Sequence, residues 1–372
     1  MKKVLITGSK GFIGKNLKLY LTQFKDIQVT CFDKNDDDSF LPEILKKVDF
    51  IFHLAGVNRS MNDYDFQKYN TDFTKKLTEN IKNLNQKISI VFASSIQAES
   101  DNPYGKSKKN AEEILINLSY EHYVNIYLFR LPNVFGKWSK PNYNSVVATF
   151  CYNISRELPI QINDPNKMLE LVYIDDVMQN FIELLNESQN KIEKKYFKNV
   201  TPVYCIKLGD LAKQIYAFKK IESTGVIEDV GTGLTRALYS TYISYLPKEK
   251  FSYPIISKKD SRGNFVEILK TQNSGQFSFF TALPGITRGS HYHHTKTEKF
   301  LVVKGEAKFK FLHMDEEIKH ELIVNSDKLE IVETIPGWSH SITNIGKEEL
   351  IVMLWSNEIF NPKKPDTYSF EL

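Results

Sequence analysis

Three histidines and one glutamate in the C-terminal part of the chain have the types and spacing of a metal site. His291 and His293 stand at i and i+2, Glu298 follows, and His340 arrives in a separate segment, Pro336-Gly337-Trp338-Ser339-His340. On a strand, residues i and i+2 point to the same face, so the first two imidazoles can reach one ion side by side. Glu298 would project from the next strand, and His340 from a strand returning beside it. Three imidazoles and a carboxylate suit a borderline divalent ion, and Zn2+ is the expectation, one per chain. The sequence leaves open whether such a metal acts as a Lewis acid or braces the fold.

The run Gly285-x5-His291-x-His293-x4-Glu298-x6-Gly305, with His340 and Asn344 downstream, resembles the cupin signature. One departure is that Pro336 and Gly337 are adjacent where the family places a residue between them. The resemblance implies an all-β barrel around the four ligands. From Phe251 onward the chain reads as short alternating strands, as in Ala307-Lys-Phe-Lys-Phe-Leu312, which agrees with a barrel.

The N-terminus carries an independent signal. Lys2-Lys-Val-Leu-Ile-Thr7 reads as a buried strand, Gly8-Ser9-Lys10-Gly11-Phe12-Ile13-Gly14 as a turn, and the following residues as a helix. That order places glycine backbone and free helix N–H groups against a dinucleotide pyrophosphate. Asp33 ends the next strand, where an acid meets the adenosine ribose, and Lys34 beside it suits a 2′-phosphate. The expected cofactor is a nicotinamide dinucleotide, NADPH or NADH, and the residues do not decide between them. Strand-like Asp49–Gly56, Ser89–Ser95 and Asn125–Arg130 alternate with helical stretches around 66–85 and 105–121, so a parallel sheet with helices on both faces is expected. Residues 139–235 read as a mixed substrate side, 191–198 as a solvated loop, and Tyr239–Pro247 as a packed connector. The division falls at 1–243 and 244–372.

At 372 residues the chain is long for one core, and its net charge of +4 is too small and dispersed for nucleic acid. The widely spaced Cys31, Cys151 and Cys205 form no metal or disulfide pattern. No apolar run reaches membrane-spanning length, and no signal peptide is read at the start, so a cytoplasmic protein without membrane partners is expected.

Ser95, Tyr104 and Lys108 supply reductase chemistry. Tyr104 and Lys108 lie at i and i+4 on one helical face, so an ammonium can lower the tyrosine pKa while the hydroxyl protonates a carbonyl oxygen held by Ser95. These residues, with Gly8-x-x-Gly11-x-x-Gly14, His53-Leu54-Ala55-Gly56, Tyr69-Asn70-Thr71, Arg130-Leu-Pro-Asn133-Val-Phe-Gly136 and Val172-Tyr-Ile-Asp175-Asp176-Val, resemble the extended short-chain dehydrogenase/reductase family. Ser95 and Tyr104 are closer in sequence than in that family, which shortens the loop between them. The family resemblance implies a Rossmann-type fold, with the glycine turn, Leu54, Ala55, Gly56, Tyr104 and Lys108 around the cofactor.

An extended reductase followed by a cupin resembles the bifunctional enzymes of capsular polysaccharide synthesis, with Gly136-Lys-Trp-x-Lys-Pro-Asn-Tyr-Asn-Ser145 fitting that group. This resemblance implies a UDP-sugar substrate. The cupin would invert C3 of a UDP-4-keto-6-deoxy-N-acetylhexosamine, and the reductase would then reduce C4 to give UDP-2-acetamido-2,6-dideoxy-L-talose. Chemistry demands that order, because C3–H is acidic only while C4 is a ketone. His294 and Tyr292 are candidate acid–base groups, and equally candidate packing neighbours. His53 reads as packing under the cofactor, His122 and His320 as surface residues, and Asp175 and Asp176 as an acidic helix start. A homodimer through residues beyond 250 is expected. The alternative reading is a single-activity epimerase or reductase with a structural cupin.

Overall fold

The computed structural model describes residues 1–84, 88–122, 124–186, 196–255, 257–260, 263–266, 270–271, 275–358 and 363–372. Its first sheet is built from β1 (Lys2–Thr7), β2 (Ile27–Phe32), β3 (Phe50–His53), β4 (Ser89–Ser95), β5 (Ile126–Leu131) and β6 (Phe197–Lys198). All pairings are parallel, in the order β2-β1-β3-β4-β5-β6. Runs such as Val4-Leu5-Ile6 and Phe50-Ile51-Phe52 are buried because both faces are covered. On one face Leu5, Ile51 and Ile90 meet Leu77 of α2 (Phe73–Lys82) and Leu115 of α3 (Pro103–His122). On the other, Phe52 and Phe129 pack against Phe181. The order reverses between β1 and β3, which opens a crevice at their carboxyl ends, the usual place for a ligand in such a sheet.

The second architecture is two antiparallel sheets. One runs β7 (Ser252–Pro254), β13 (Glu330–Glu333), β10 (Glu298–Lys304), β15 (Leu350–Ser356), β8 (Gln276–Ala282). The other runs β12 (Lys319–Asn325), β11 (Glu306–His313), β14 (Trp338–Asn344), β9 (Thr287–Tyr292), β16 (Tyr368–Ser369). Along β11, Ala307, Phe309 and Phe311 are buried while Lys308 and Lys310 are more exposed, the alternation of a half-covered strand. Phe300 of one sheet meets Phe309 and His340 of the other, so the two inner faces close on a shared core, the cupin-like arrangement expected.

By contact the chain resolves into two compact units, Met1–Val134 with Glu170–Cys205, and Phe135–Leu169 with Ile206–Leu372. The second unit therefore holds the β-rich region together with the helices Val146–Ser155, Leu208–Thr224 and Gly233–Ser244. Within it Lys299 and Glu333 form a fully buried ion pair beside Tyr239 and Tyr253. Burial opposes the Lys299 charge, but Glu333 prevails and holds the ammonium well above its ordinary pKa.

Three expectations are corrected. Most of the stretch read as a packed connector, from Tyr239, is helix, although its buried tyrosines agree with the packing expected. His320 is partly buried, edge-on to Phe251 and beside Phe311, rather than a surface residue. Of the supposed loop 191–198, Phe197–Lys198 is the edge strand β6, and 191–195 lie outside the described residues. Among the described residues no helix is long and apolar enough to cross a membrane.

Candidate functional site

The glycine turn leaves β1 and enters α1 (Phe12–Leu21). Gly8 has φ +75°, and a Cβ there would lie 2.7 Å from Ala55 Cα, so only glycine fits. A Cβ on Gly14 would fall 2.2 Å from the Gly8 carbonyl oxygen, which α1 approaches closely. Gly11 donates its N–H to that oxygen (3.0 Å) and precedes Phe12 and Ile13 with no side-chain cap, leaving the first helix N–H groups available to an anion. Asp33 accepts from Ser9 Oγ (2.6 Å) and Lys10 N (3.1 Å), tying the end of β2 to the turn. Lys34 is exposed, its ammonium 4.2 Å from the Tyr69 ring centroid.

Leu54, Ala55 and Gly56 run off the end of β3 beside this turn. Ala55 N–H reaches Thr7 Oγ1 (3.3 Å), and Asn70 brackets Val57 through both amide atoms while also donating to Ser107 on α3. His53 bridges Thr7 and Thr74, with both ring nitrogens at 2.8 Å from a threonine hydroxyl. Burial pushes its pKa down to about 3, so it is a neutral packing residue, as expected.

Ser95 ends β4, its Oγ accepting from Gln97 N–H (3.2 Å), and Tyr104 opens α3 close enough to feel the Ser95 hydroxyl. Burial raises the Tyr104 pKa, and the Ser95 contact only partly opposes this. Lys108 is fully buried, donating to the Ala93 carbonyl at 2.6 Å and lying 4.1 Å from the Phe92 ring centroid. Burial pushes it down to about 7 against the pull of Glu112. Lys108 is not among the groups that shift Tyr104, so the lowering expected of it is absent here. Tyr104 holds its proton, the state a donor needs.

Sequence reasoning missed the carboxylate behind this pair. Glu112 is buried, accepts from Ser94 Oγ, and takes Arg130 Nε (3.0 Å) and Nη2 (2.7 Å). Its position four residues after Lys108 is the signal that could have found it.

At the other centre, β9 pairs antiparallel with β14 so that His291 lies opposite His340. A bulge between Gly289 and His291, with Ser290 at φ +54°, redirects the strand there. His293 stands just beyond the end of β9, rather than on it, and Glu298 begins β10. One ligand atom from each of His291, His293, Glu298 and His340 lies within 4.8 Å of the others.

His293 Nε2 is 3.2 Å from Glu298 Oε2, while its Nδ1 faces the Asp366 carbonyl at 2.6 Å. Both His340 nitrogens are buried without a hydrogen-bond partner among the described residues, and Glu298 Oε2 at 3.6 Å is beyond bonding distance. Burial, reinforced by His340 and His293, holds His291 down to about 3. Burial opposes the Glu298 charge, yet His293 and His340 override it and keep the carboxyl well below its usual range. Three converging imidazoles, one of them with both nitrogens orphaned, around a buried carboxylate are the donor set that a divalent cation takes. The quartet fits a metal.

Asp366, also unforeseen, fastens the connecting loop. Its carboxylate accepts the backbone N–H groups of His294 (3.0 Å), Thr295 (2.9 Å) and Lys296 (2.7 Å). Lys296 Nζ lies 3.7 Å from Glu298 Oε1, and Tyr292 and His294 meet edge to face.

An α/β sheet with a glycine turn after its first strand and Ser95, Tyr104 and Lys108 at the end of β4 and on α3, followed by a cupin-like domain, defines a two-domain enzyme of the oxidoreductase and epimerase type. Residues 4–198 match the NAD dependent epimerase/dehydratase family and residues 258–368 the polysaccharide biosynthesis C-terminal domain. A curated relative from Pseudomonas aeruginosa, UDP-2-acetamido-2,6-beta-L-arabino-hexul-4-ose reductase, is 51% identical, covering 99% of this chain and 98% of its own. The crystal structure of the capsular polysaccharide assembling protein CapF from Staphylococcus aureus covers 100% of both chains at 40% identity, with a TM-score of 0.66. UDP-glucuronic acid 4-epimerase from Bacillus cereus, at 18% identity over 58% of this chain and 82% of its own, with a TM-score of 0.53, shares the fold. The chain belongs to the NAD-dependent epimerase/dehydratase family, in the two-domain form that CapF has.

Proposed function

We propose that this enzyme acts twice on a UDP-4-keto-6-deoxy-N-acetylhexosamine. Residues 244–372 invert C3, and residues 1–243 then reduce C4 with NADPH to UDP-2-acetamido-2,6-dideoxy-L-talose, on the way to UDP-N-acetyl-L-fucosamine for a surface polysaccharide. The full-length match to a UDP-keto-sugar reductase carries this reading, because both clusters of reactive side chains are present in the chain that matches.

In the first step a side-chain base removes the C3 proton and an acid returns one to the opposite face. His291, His293, Glu298 and His340 would hold Zn2+, which when bound supplies a Lewis acid to withdraw charge from a ketone or enolate oxygen. In the second step Ser95 orients the C4 oxygen and Tyr104 protonates it, while NADPH, when bound, would supply the hydride. Lys108 would donate to the cofactor ribose hydroxyls and offset the negative charge left on Tyr104 once its proton is given up. Gly8, Lys10, Gly11, Phe12, Ile13 and Gly14 receive the pyrophosphate, with Asp33 and Lys34 at the adenosine end. The working form is a cytoplasmic homodimer formed through residues beyond 250, which light scattering at micromolar concentration tests.

The division of labour is tested with two variants. Tyr104→Phe in heavy water is expected to exchange the C3 hydrogen for deuterium while its NADPH oxidation drops by about 10²–10⁴-fold. His293→Ala is expected to bind NADPH normally, turn over the starting ketone poorly, and recover with the C3-inverted ketone. Loss of exchange in Tyr104→Phe would show that the two steps share one site.

A further inference from the structure

Within the second unit, one side chain from outside the β-rich region stands against the turn that carries the metal ligands. Trp138 has φ +68°, a left-handed conformation that is costly for a bulky residue and persists only when its surroundings hold it. Its surroundings do hold it. Tyr245 donates its hydroxyl to the Ser139 carbonyl, and the neighbouring Lys137 is buried. The indole Nε1–H donates to His313 Nε2 at 3.2 Å.

The ring lies over Gly337, where an added Cβ would come within 2.9 Å of Trp138 Cζ2. Gly337 is part of the turn entering β14. Its N–H points to the His293 carbonyl at 3.4 Å, and its own carbonyl accepts Met314 N–H at 3.0 Å. His340 follows three residues later. Gly337 is therefore held between the indole, the Met314 amide and the backbone of one proposed ligand, and it sets the start of the strand that carries another.

We infer that Trp138 is a positioning residue for the metal centre, seating the Pro336–Gly337 turn so that His293 and His340 converge. The inference rests on the reading that His291, His293, Glu298 and His340 bind a metal. It assigns to that centre a residue from the Gly136–Ser145 stretch, well outside the region that supplies the ligands. Both the φ of +85° at Gly337 and the aromatic face above it exclude a side chain at that position.

The test uses the full-length enzyme loaded with Zn2+, and separately with Co2+, comparing wild type with Trp138→Ala and Trp138→Phe. Loss of supporting contacts around metal ligands typically weakens affinity by about 10–100-fold. Trp138→Ala is accordingly expected to surrender zinc to a chelator about tenfold faster than wild type. Trp138→Phe keeps a ring but loses the donor, and is expected to do so about threefold faster. The visible absorption band of the cobalt form should shift in both, and NADPH affinity should stay at the wild-type value. A wild-type chelation rate or an unshifted cobalt band in Trp138→Phe overturns the assignment, whether or not Trp138→Ala folds. A wild-type protein that binds neither metal refutes the underlying metal reading instead.

Discussion

Replacing Glu112 by glutamine should move the pH dependence of the reductase. Lys108 is buried and already pushed down to about 7, with Glu112 four residues along α3 as the charge that resists the fall. The other groups near it do not replace that charge. His53 is neutral, held down to about 3 by burial, and Tyr104 is protonated. A neighbouring opposite charge shifts a pKa by about 1–3 units, and sharing Glu112 with Arg130 argues for the lower end.

Lowering the Lys108 pKa by about one unit corresponds to roughly 1.4 kcal/mol. If the ammonium form is the active one, activity falls as pH rises through that pKa, so the variant fails earlier. The expected loss in kcat/KM for NADPH is about eightfold at pH 7.5 and near nothing at pH 5.5. NADPH oxidation measured across that range reads the shift directly. Arg130 would also lose its buried partner, and since its side chain is 27% exposed the stability cost is about 2–3 kcal/mol. An equal loss of activity at both pH values would show that Glu112 only supports the fold and refute the electrostatic argument.

Gly14→Ala drives a methyl against the Gly8 carbonyl and should cost about 1–3 kcal/mol and weaken NADPH binding in a fluorescence titration. Unchanged affinity would mean that the turn is not the pyrophosphate site. Purified wild type should carry about one zinc per chain by elemental analysis, and His291→Ala and His340→Ala should lose it on dialysis. Lys299→Met strands the buried Glu333 carboxylate and should lower the unfolding free energy in urea by about 3–5 kcal/mol, whereas Lys299→Met with Glu333→Leu should recover most of it. Additive losses in the double variant would count against a coupled pair.

What could be read from the residues was what depends on local spacing. The glycine turn, the buried strand before it and the i, i+4 pair Tyr104 and Lys108 each occupy one short segment, so their periodicity shows directly. The cluster of His291, His293, Glu298 and His340 was legible because three of its four members share a short run and the fourth follows a recognisable turn. The bulge at Ser290 was not legible, since nothing in strict alternation announces an extra residue. Asp366 was invisible for another reason, because its partners His294, Thr295 and Lys296 are some seventy residues away and meet it only after the strands pair. The direction of the Tyr104 shift was misjudged because burial dominates it and the Lys108 ammonium is taken by the Ala93 carbonyl.

The grip of Asp366 also sets a timetable for the molecule. Its backbone oxygen faces the His293 ring, and its carboxylate holds the next three amides, yet it is translated 73 residues after His293. The strands of the parallel sheet, β1 to β6, have all been synthesised before the first histidine of the quartet is made. On a ribosome, the nucleotide-binding sheet can therefore form early, while the loop around His293 lacks its Asp366 contacts until residue 366 emerges. A nascent chain paused before that residue would carry all four candidate ligands and still lack the clasp that orients one of them.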